Sequence, residues 1–305
     1  MGKSLRIVFM GTPSFAVGIL DAIVQSTHQV VGVVTAPDKP SGRGLQVHES
    51  EVKKRAMALS VPIFQPTKLR DESFLESLRQ LQADLFVVVA FRMMPEVLWS
   101  IPPLGAVNLH ASLLPKYRGA APIQHALWEG ETKTGLTTFF IQQEIDTGKM
   151  IFQQEVAITP EETGGSLHDK LMLAGAELMV KTLDAIATGS YPQIEQNGDE
   201  MSKAPKIFRE DCQLDCSQSV IRLDRQIRAL NPYPTAFILF EDKSYKIFRA
   251  NPVKCEVTDV PGSWVTDGKK FLHIICSDGY LEVKELQPQG KRNMSVEEFL
   301  RGWRK

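Results

Sequence analysis

Short apolar runs alternate with stretches of helical spacing over the first 190 residues, and that order admits few folds. Leu5–Met10, Gln29–Thr35, Asp84–Ala90 and Gly105–His110 carry strand character. Ser14–Gln25, Glu49–Leu59 and Glu72–Leu81 repeat apolar residues at helical intervals. Strands separated by helices come side by side through crossovers, which makes them parallel and covers both faces of the sheet. The expected fold is therefore α/β, with a doubly wound, mostly parallel sheet. Its first strand ends in Gly11-Thr-Pro13 without the three glycines of a dinucleotide fingerprint, which excludes a nicotinamide enzyme. A long helical pattern over Leu167–Ile186 closes this part of the chain.

The pattern changes at Gly189–Lys206, which is polar, rich in turn formers and without periodicity. A helical stretch follows at Val220–Leu230, then short strands at Ala236–Phe240, Tyr245–Ala250, Lys254–Thr258, Phe271–Cys276 and Tyr280–Leu286, and a last helix at Ser295–Arg301. Several short strands punctuated by Gly and Asp predict a small OB-like β-barrel. The expected organisation is a domain over 1–188, a linker over 189–208 and a second domain over 209–305, and the 43% of hydrophobic residues suffices for two cores. No run reaches the roughly 18 apolar residues of a membrane span, and no apolar leader opens the chain, so a soluble, cytoplasmic protein without a membrane partner is expected. Cys212, Cys216, Cys255 and Cys276 show no Cys-x-x-Cys spacing and no accompanying His, which predicts ordinary thiols and no metal.

Polar chemistry concentrates near residue 110, where the apolar run from Gly105 delivers Asn108 and His110 into a loop of Pro and Gly that extends to Pro122. Residues two apart on a strand share a face, so Asn108 and His110 look one way and Val107 and Leu109 the other. In open α/β sheets ligands gather outside the carboxyl ends of the strands. An amide and an imidazole there can donate hydrogen bonds to an oxygen that gains negative charge, the requirement of acyl-type transfer. Asn is also common at strand ends, and a lone His is more often structural than catalytic. Asp146 stands in a turn between two strand-like runs, Leu136–Ile141 and Met150–Ile158. Asp before Thr-Gly commonly just makes a turn. Beside Asn108 and His110, however, its carboxylate supplies an acid/base partner that orients an imidazole or accepts a proton from an attacking amine.

The string Asn108-Leu-His110-Ala-Ser112-Leu-Leu-Pro115-Lys-Tyr-Arg118-Gly119-Ala-Ala-Pro122-Ile-Gln124, followed by Asp146-Thr-Gly148, resembles the signature of the folate-dependent formyltransferases. The likeness continues in order through Phe9-Met-Gly11-Thr-Pro13, Pro37-Asp-Lys-Pro-Ser-Gly-Arg43-Gly44, Asp169-Lys-Leu171, Ala204-Pro-Lys-Ile207 and Arg228-Ala-Leu-Asn-Pro232, and so spans essentially the whole chain. It implies a Rossmann variant with a C-terminal barrel. It also implies transfer of a formyl group from 10-formyltetrahydrofolate to the α-amino group of methionine on initiator tRNA, with Asn108, His110 and Asp146 as the catalytic set.

For the folate the resemblance points to Val88, Val89, Ala90, Phe91 and Arg92, and to Ser112, Leu113, Leu114 and Pro115. The segment Ala90-Phe-Arg92-Met-Met-Pro95 departs from the family pattern: it lacks a Gly after the aromatic and is one residue shorter, so Arg92 and the methionines would line the pocket differently. Met93 and Met94 read equally as core filler. For tRNA the expected contacts are Arg43, Lys203 and Lys206. The segment Ala36–Gly44 has no large apolar anchor, and its glycines allow close approach to a nucleic-acid backbone; an ordinary surface loop is the alternative.

Charge is a weak guide here. From Arg209 onward basic residues outnumber acidic ones only by 16 to 14, so phosphate binding would depend on where the cations gather and not on their sum. A monomer is the expected state. Sugar-nucleotide N-formyltransferases and formyl-folate hydrolases carry a similar Asn, His and Asp set and stand as alternative enzymes. A catalytically silent RNA-binding protein is the reading from a different class.

Overall fold

The computed structural model describes residues 4–41 and 46–303. Its elements run β1 (Arg6–Gly11), α1 (Ser14–Gln25), β2 (Gln29–Val34), β3 (Lys39–Ser41), β4 (Gln46–His48), α2 (Glu51–Ala58), β5 (Ile63–Phe64), α3 (Glu72–Gln80), β6 (Leu85–Val89), α4 (Glu96–Trp99) and β7 (Ala106–His110). They continue through β8 (Arg118–Gly119), α5 (Pro122–Glu129), β9 (Lys133–Phe140), β10 (Met150–Ala157), α6 (Gly164–Thr188) and β11 (Lys203–Ala204). Last come α7 (Val220–Ala229), β12 (Phe237–Phe240), β13 (Lys243–Lys254), β14 (Trp264–Thr266), β15 (Leu272–Cys276), β16 (Gly279–Pro288), β17 (Met294–Ser295) and α8 (Val296–Gly302). Among the described residues no helix is long and apolar enough to cross a membrane.

Seven strands form the main sheet in the order β10-β9-β7-β6-β1-β2-β5. The pairs β1–β2, β1–β6, β2–β5 and β6–β7 are parallel, and β9 turns the sheet antiparallel beside β7. The central strands are buried on both faces, all five residues of β6 included, which is why they read as continuous apolar runs. Alternation still assigns the faces. Val8, Met10, Phe86, Val88 and Ala106 cluster with Phe74, Leu75 and Leu78 of α3 and Leu98 of α4. On the other face Gly175 lets α6 close on Leu109 and Leu136, and Gly18 lets α1 close on Met172 of α6. Helices thus cover both faces, as the doubly wound reading expects. The helix starts are local decisions: Ser50 accepts from the Lys53 N–H and Asp71 from the Phe74 N–H, each capping the helix it precedes.

The chain divides into two compact units. The first comprises Met1–Gly119, Thr134–Ala157 and His168–Lys203; the second comprises Ala120–Lys133, Ile158–Leu167 and Ala204–Lys305. Residues 120–133 and 158–167, read from sequence as part of the first domain, group with the second unit, and 189–203, read as linker, groups with the first.

In the second unit the strands order β12-β13-β16-β15-β14, with β17 also on β16, and every pair is antiparallel. This half-barrel wraps a core that takes in Leu223 and Ile227 of α7 and Phe299 and Leu300 of α8. Two strand expectations are corrected. Tyr245–Ala250 and Lys254–Thr258 are not separate strands: β13 runs unbroken to Lys254 and stops there, and Trp264–Thr266 is a strand the sequence reading omitted. Asn251-Pro252 signals a break, yet β12 pairs only with Lys243–Lys246, so Pro252 lies where β13 has one neighbour and its missing N–H costs no ladder bond.

Candidate active site

Strand β7 carries Asn108 and His110 on the α3/α4 face of the sheet. Asn108 stands level with Val88 on one side and Phe139 on the other, and Leu109 turns to α6. His110 is buried, and its Nε2 lies 2.8 Å from the carbonyl oxygen of Tyr117, so that nitrogen is the protonated donor. The Asn108 amide is half-buried and has no hydrogen-bond partner among the described residues. It stands mid-way along β7 as a donor not committed to another group among the described residues.

Asp146 arrives from the loop between β9 and β10. Its φ of 56° is in the left-handed region, which suits a turn, and its Oδ2 accepts the Gly119 N–H at 2.9 Å. The same oxygen stands 3.8 Å from His110 Nδ1, an ion-pair separation too long for a hydrogen bond. Two carbonyls of this turn, those of Asp146 and Gly148, accept from the Gln196 amide at 2.8 and 2.9 Å, and the Gln196 oxygen accepts from Arg118. Gly148 is required by space: a Cβ there would lie 1.6 Å from the Phe140 carbonyl oxygen.

The structure sets Asp146 against His110 and puts Asn108 on the same face of β7 as His110; the remaining expected contacts divide. Ser112 Oγ donates to the Lys116 carbonyl, Thr137 Oγ1 donates to the Ser112 carbonyl, and the Leu114 N–H donates to Thr137 Oγ1. Gln153 Nε2 donates to the Leu114 carbonyl, while the Leu114 side chain packs on Phe139 and Met150. Leu113 lies against Gly135, and the Leu114–Pro115 peptide is cis. Ser112 to Pro115 are thus tied into the wall of the loop. Val88 and Val89 are buried strand residues, and Phe91 packs beside the α3/α4 cluster. The Arg92 guanidinium is engaged, donating to the Thr67 carbonyl at 3.1 Å and the Pro66 carbonyl at 2.5 Å. Ala90 takes φ 47°, and Met93 is 71% exposed, so this segment presents backbone and a free thioether side chain, not an ion. Lys203 is exposed on β11, and the exposed Lys206 places its ammonium 5.3 Å from the Phe208 ring. Arg43 lies outside the described residues.

Residues 5–183 match the family model described as formyl transferase, and residues 206–304 match that of the formyl transferase C-terminal domain. The chain belongs to the formyltransferase family. Among its curated relatives are the methionyl-tRNA formyltransferases of Bacteroides fragilis and Flavobacterium johnsoniae. Each is 47% identical to this formyltransferase; the first match covers 99% of this chain and the second 98%, each with 96% of the relative. Among solved structures, HypX from Aquifex aeolicus in complex with tetrahydrofolic acid superposes with a TM-score of 0.68 at 18% identity, over 99% of this chain and 50% of that one. WlaRD, a sugar 3N-formyl transferase, superposes with a TM-score of 0.66 at 19% identity, over 95% of this chain and all of that one. At identities this low the likeness is one of fold.

Sequence reasoning passed over Gln196, whose amide clasps the turn that bears Asp146. A single Gln in a polar, aperiodic stretch carries no spacing signal. Gly148, beside Asp146 in the quoted motif, had a signal in the Asp-Thr-Gly string, although only the backbone path shows why the glycine is needed. Among the described residues no cluster of three His, Cys, Asp or Glu side chains is placed to hold a metal ion.

Proposed function

We propose that this formyltransferase moves the formyl group of 10-formyltetrahydrofolate to the α-amino group of methionine carried on initiator tRNA. The observation that carries the reading is the His110–Asp146 pair together with an Asn108 amide that shares His110's face of the sheet and has no partner among the described residues. When bound, the folate supplies the formyl group. The residues fit such a ligand in one testable respect: a half-buried amide donor is available where a carbonyl oxygen would need it. The backbone of Val88–Arg92 and the loop wall at Ser112–Pro115 are the proposed borders for the pterin.

Asn108 then donates to the carbonyl oxygen as charge gathers on it. His110 spends Nε2 on Tyr117, so its Nδ1 donates only when the ring carries both protons, and Asp146 is the carboxylate placed to balance that charge. The amine must be neutral to attack, which an α-amino group with a pKa near 8 is in part at cellular pH. As its nitrogen bonds to the formyl carbon it becomes cationic; Asp146 accepts that surplus proton, directly or through water, and holds the same proton for the amine released when the formyl C–N bond breaks.

Residues 1–188 are proposed as the catalytic and folate side, and 209–305 as a tRNA-binding domain reached through 189–208, with Arg43, Lys203 and Lys206 as phosphate contacts. Relatives at 47% identity over nearly their full length are named for methionyl-tRNA, whereas the sugar enzymes resemble this chain only in fold, which favours the tRNA reading. A cytoplasmic monomer suits that role. The test is turnover by Asn108→Ala, His110→Ala and Asp146→Asn, each expected to fall by ~10²–10³. Near-normal transfer by all three would contradict the assignment.

A further inference from the structure

The turn bearing Asp146 is gripped by a residue 50 positions downstream. Gln196 Nε2 donates to the Asp146 carbonyl at 2.8 Å and to the Gly148 carbonyl at 2.9 Å, so both amide hydrogens are spent on the turn. Its Oε1 accepts from Arg118 Nε at 3.1 Å and from Nη2 at 2.6 Å. The next residue, Gly119, donates its N–H to the Asp146 carboxylate at 2.9 Å. Asp146, Gln196, Arg118 and Gly119 therefore close a ring that ties the backbone and the carboxylate of one residue to the same short strand, β8.

Neighbouring bonds extend the grip. Ile194 exchanges backbone hydrogen bonds with Met150 at 2.8 and 2.9 Å, and Glu195 pairs with Lys149 at 3.0 Å. Ser202 accepts the Tyr117 N–H at 2.9 Å, and Tyr117 in turn accepts from His110. One segment, 194–202, thus braces the partners of both His110 and Asp146.

We propose that Gln196, oriented by Arg118, is the positioning residue for the Asp146 carboxylate. The guanidinium is what fixes the sense of the amide. With the oxygen held by Arg118 the two hydrogens must face the turn, and a flipped amide would set N–H against guanidinium and oxygen against two carbonyls. The inference rests on Asp146 acting as the catalytic carboxylate.

Gln196→Glu separates positioning from mere support, since it keeps the volume and the Arg118 partner but turns both donors into acceptors facing carbonyl oxygens. In full-length protein assayed with 10-formyltetrahydrofolate and methionyl initiator tRNA, kcat is expected to fall about 10²-fold, as for a misplaced reacting group, with both KM values within about threefold. Combined with Asp146→Asn, which removes what the clasp serves, it should cause no further loss. Arg118→Lys, which keeps the charge but loses the two-point grip, should show the same pattern in weaker form and carries the test if Gln196→Glu does not fold. Turnover near wild type in both variants, or losses that multiply with that of Asp146→Asn, overturns the proposal while leaving the function intact. Full activity of Asp146→Asn alone overturns the catalytic reading and the clasp with it.

Discussion

Donors and acceptors decide the site at the residue scale. The His110 ring has Nε2 engaged by the Tyr117 carbonyl, which leaves Nδ1 as the nitrogen facing Asp146 Oδ2 at 3.8 Å. The turn that presents Asp146 leaves no room for a side chain at Gly148, because the atom a Cβ would strike is the Phe140 carbonyl oxygen and backbone cannot step aside. Gly148→Ala is therefore expected to shift the turn, lowering turnover by about 10²-fold and stability by roughly 1–3 kcal/mol. Activity and thermal midpoint measured on one preparation check this, and an unaltered kcat would contradict it. Asn108, His110 and Asp146 were legible in the sequence, because strand alternation puts the first two on one face and the Asp-Thr-Gly turn stands out between two strands. Gln196 was not legible, since its partners depend on a chain path that periodicity does not record. Arg92 was named from the family resemblance alone, and its guanidinium donates to the carbonyls of Pro66 and Thr67, partners that no spacing in the sequence records.

At the scale of elements, the central strands and flanking helices followed from apolar runs and helical spacing, whereas β13 did not, because Pro252 reads as a break unless the one-sided pairing is known. The start of α6 shows how an element is seated. A Cβ on Gly164 would lie 2.3 Å from the carbonyl oxygen of Ala229 at the end of α7, so Gly164→Ala should separate the two and destabilise the second unit by about 1–3 kcal/mol. Chemical denaturation would register this as a lower midpoint, and an unchanged midpoint would contradict the close seating. On β15, His273 stacks on Tyr280 at 4.0 Å and lies tilted 4.5 Å from Phe271, and burial holds its pKa below the ordinary imidazole value. The folded state thus prefers the neutral ring. Its contribution is fully present above the unfolded value of about 6.5 and is lost as pH falls through the folded pKa. The thermal midpoint should accordingly decline on acidification below about 6.5, and His273→Gln should flatten that part of the curve. An identical pH slope in the variant would exclude His273 as its source.

Across the whole molecule the charge is nearly balanced, with 35 basic against 36 acidic residues, so nucleic-acid affinity has to come from placement. Lys203 and Lys206 are exposed, and Arg43 belongs to the Gly and Pro segment of the sequence motif. If they meet phosphates, Lys206→Ala should raise KM for tRNA with little effect on kcat, and reduce the slope of log affinity against log salt by about one. A salt slope equal to wild type would remove Lys206 from the interface. The most direct measurement of the central claim is transfer of labelled formyl from 10-formyltetrahydrofolate by the purified chain, with methionyl initiator tRNA, free methionine and an amino-sugar nucleotide as competing acceptors. Label on the tRNA-borne methionine alone, lost in Asp146→Asn, is the predicted result; label on the sugar, or release of free formate with no acceptor modified, would contradict it.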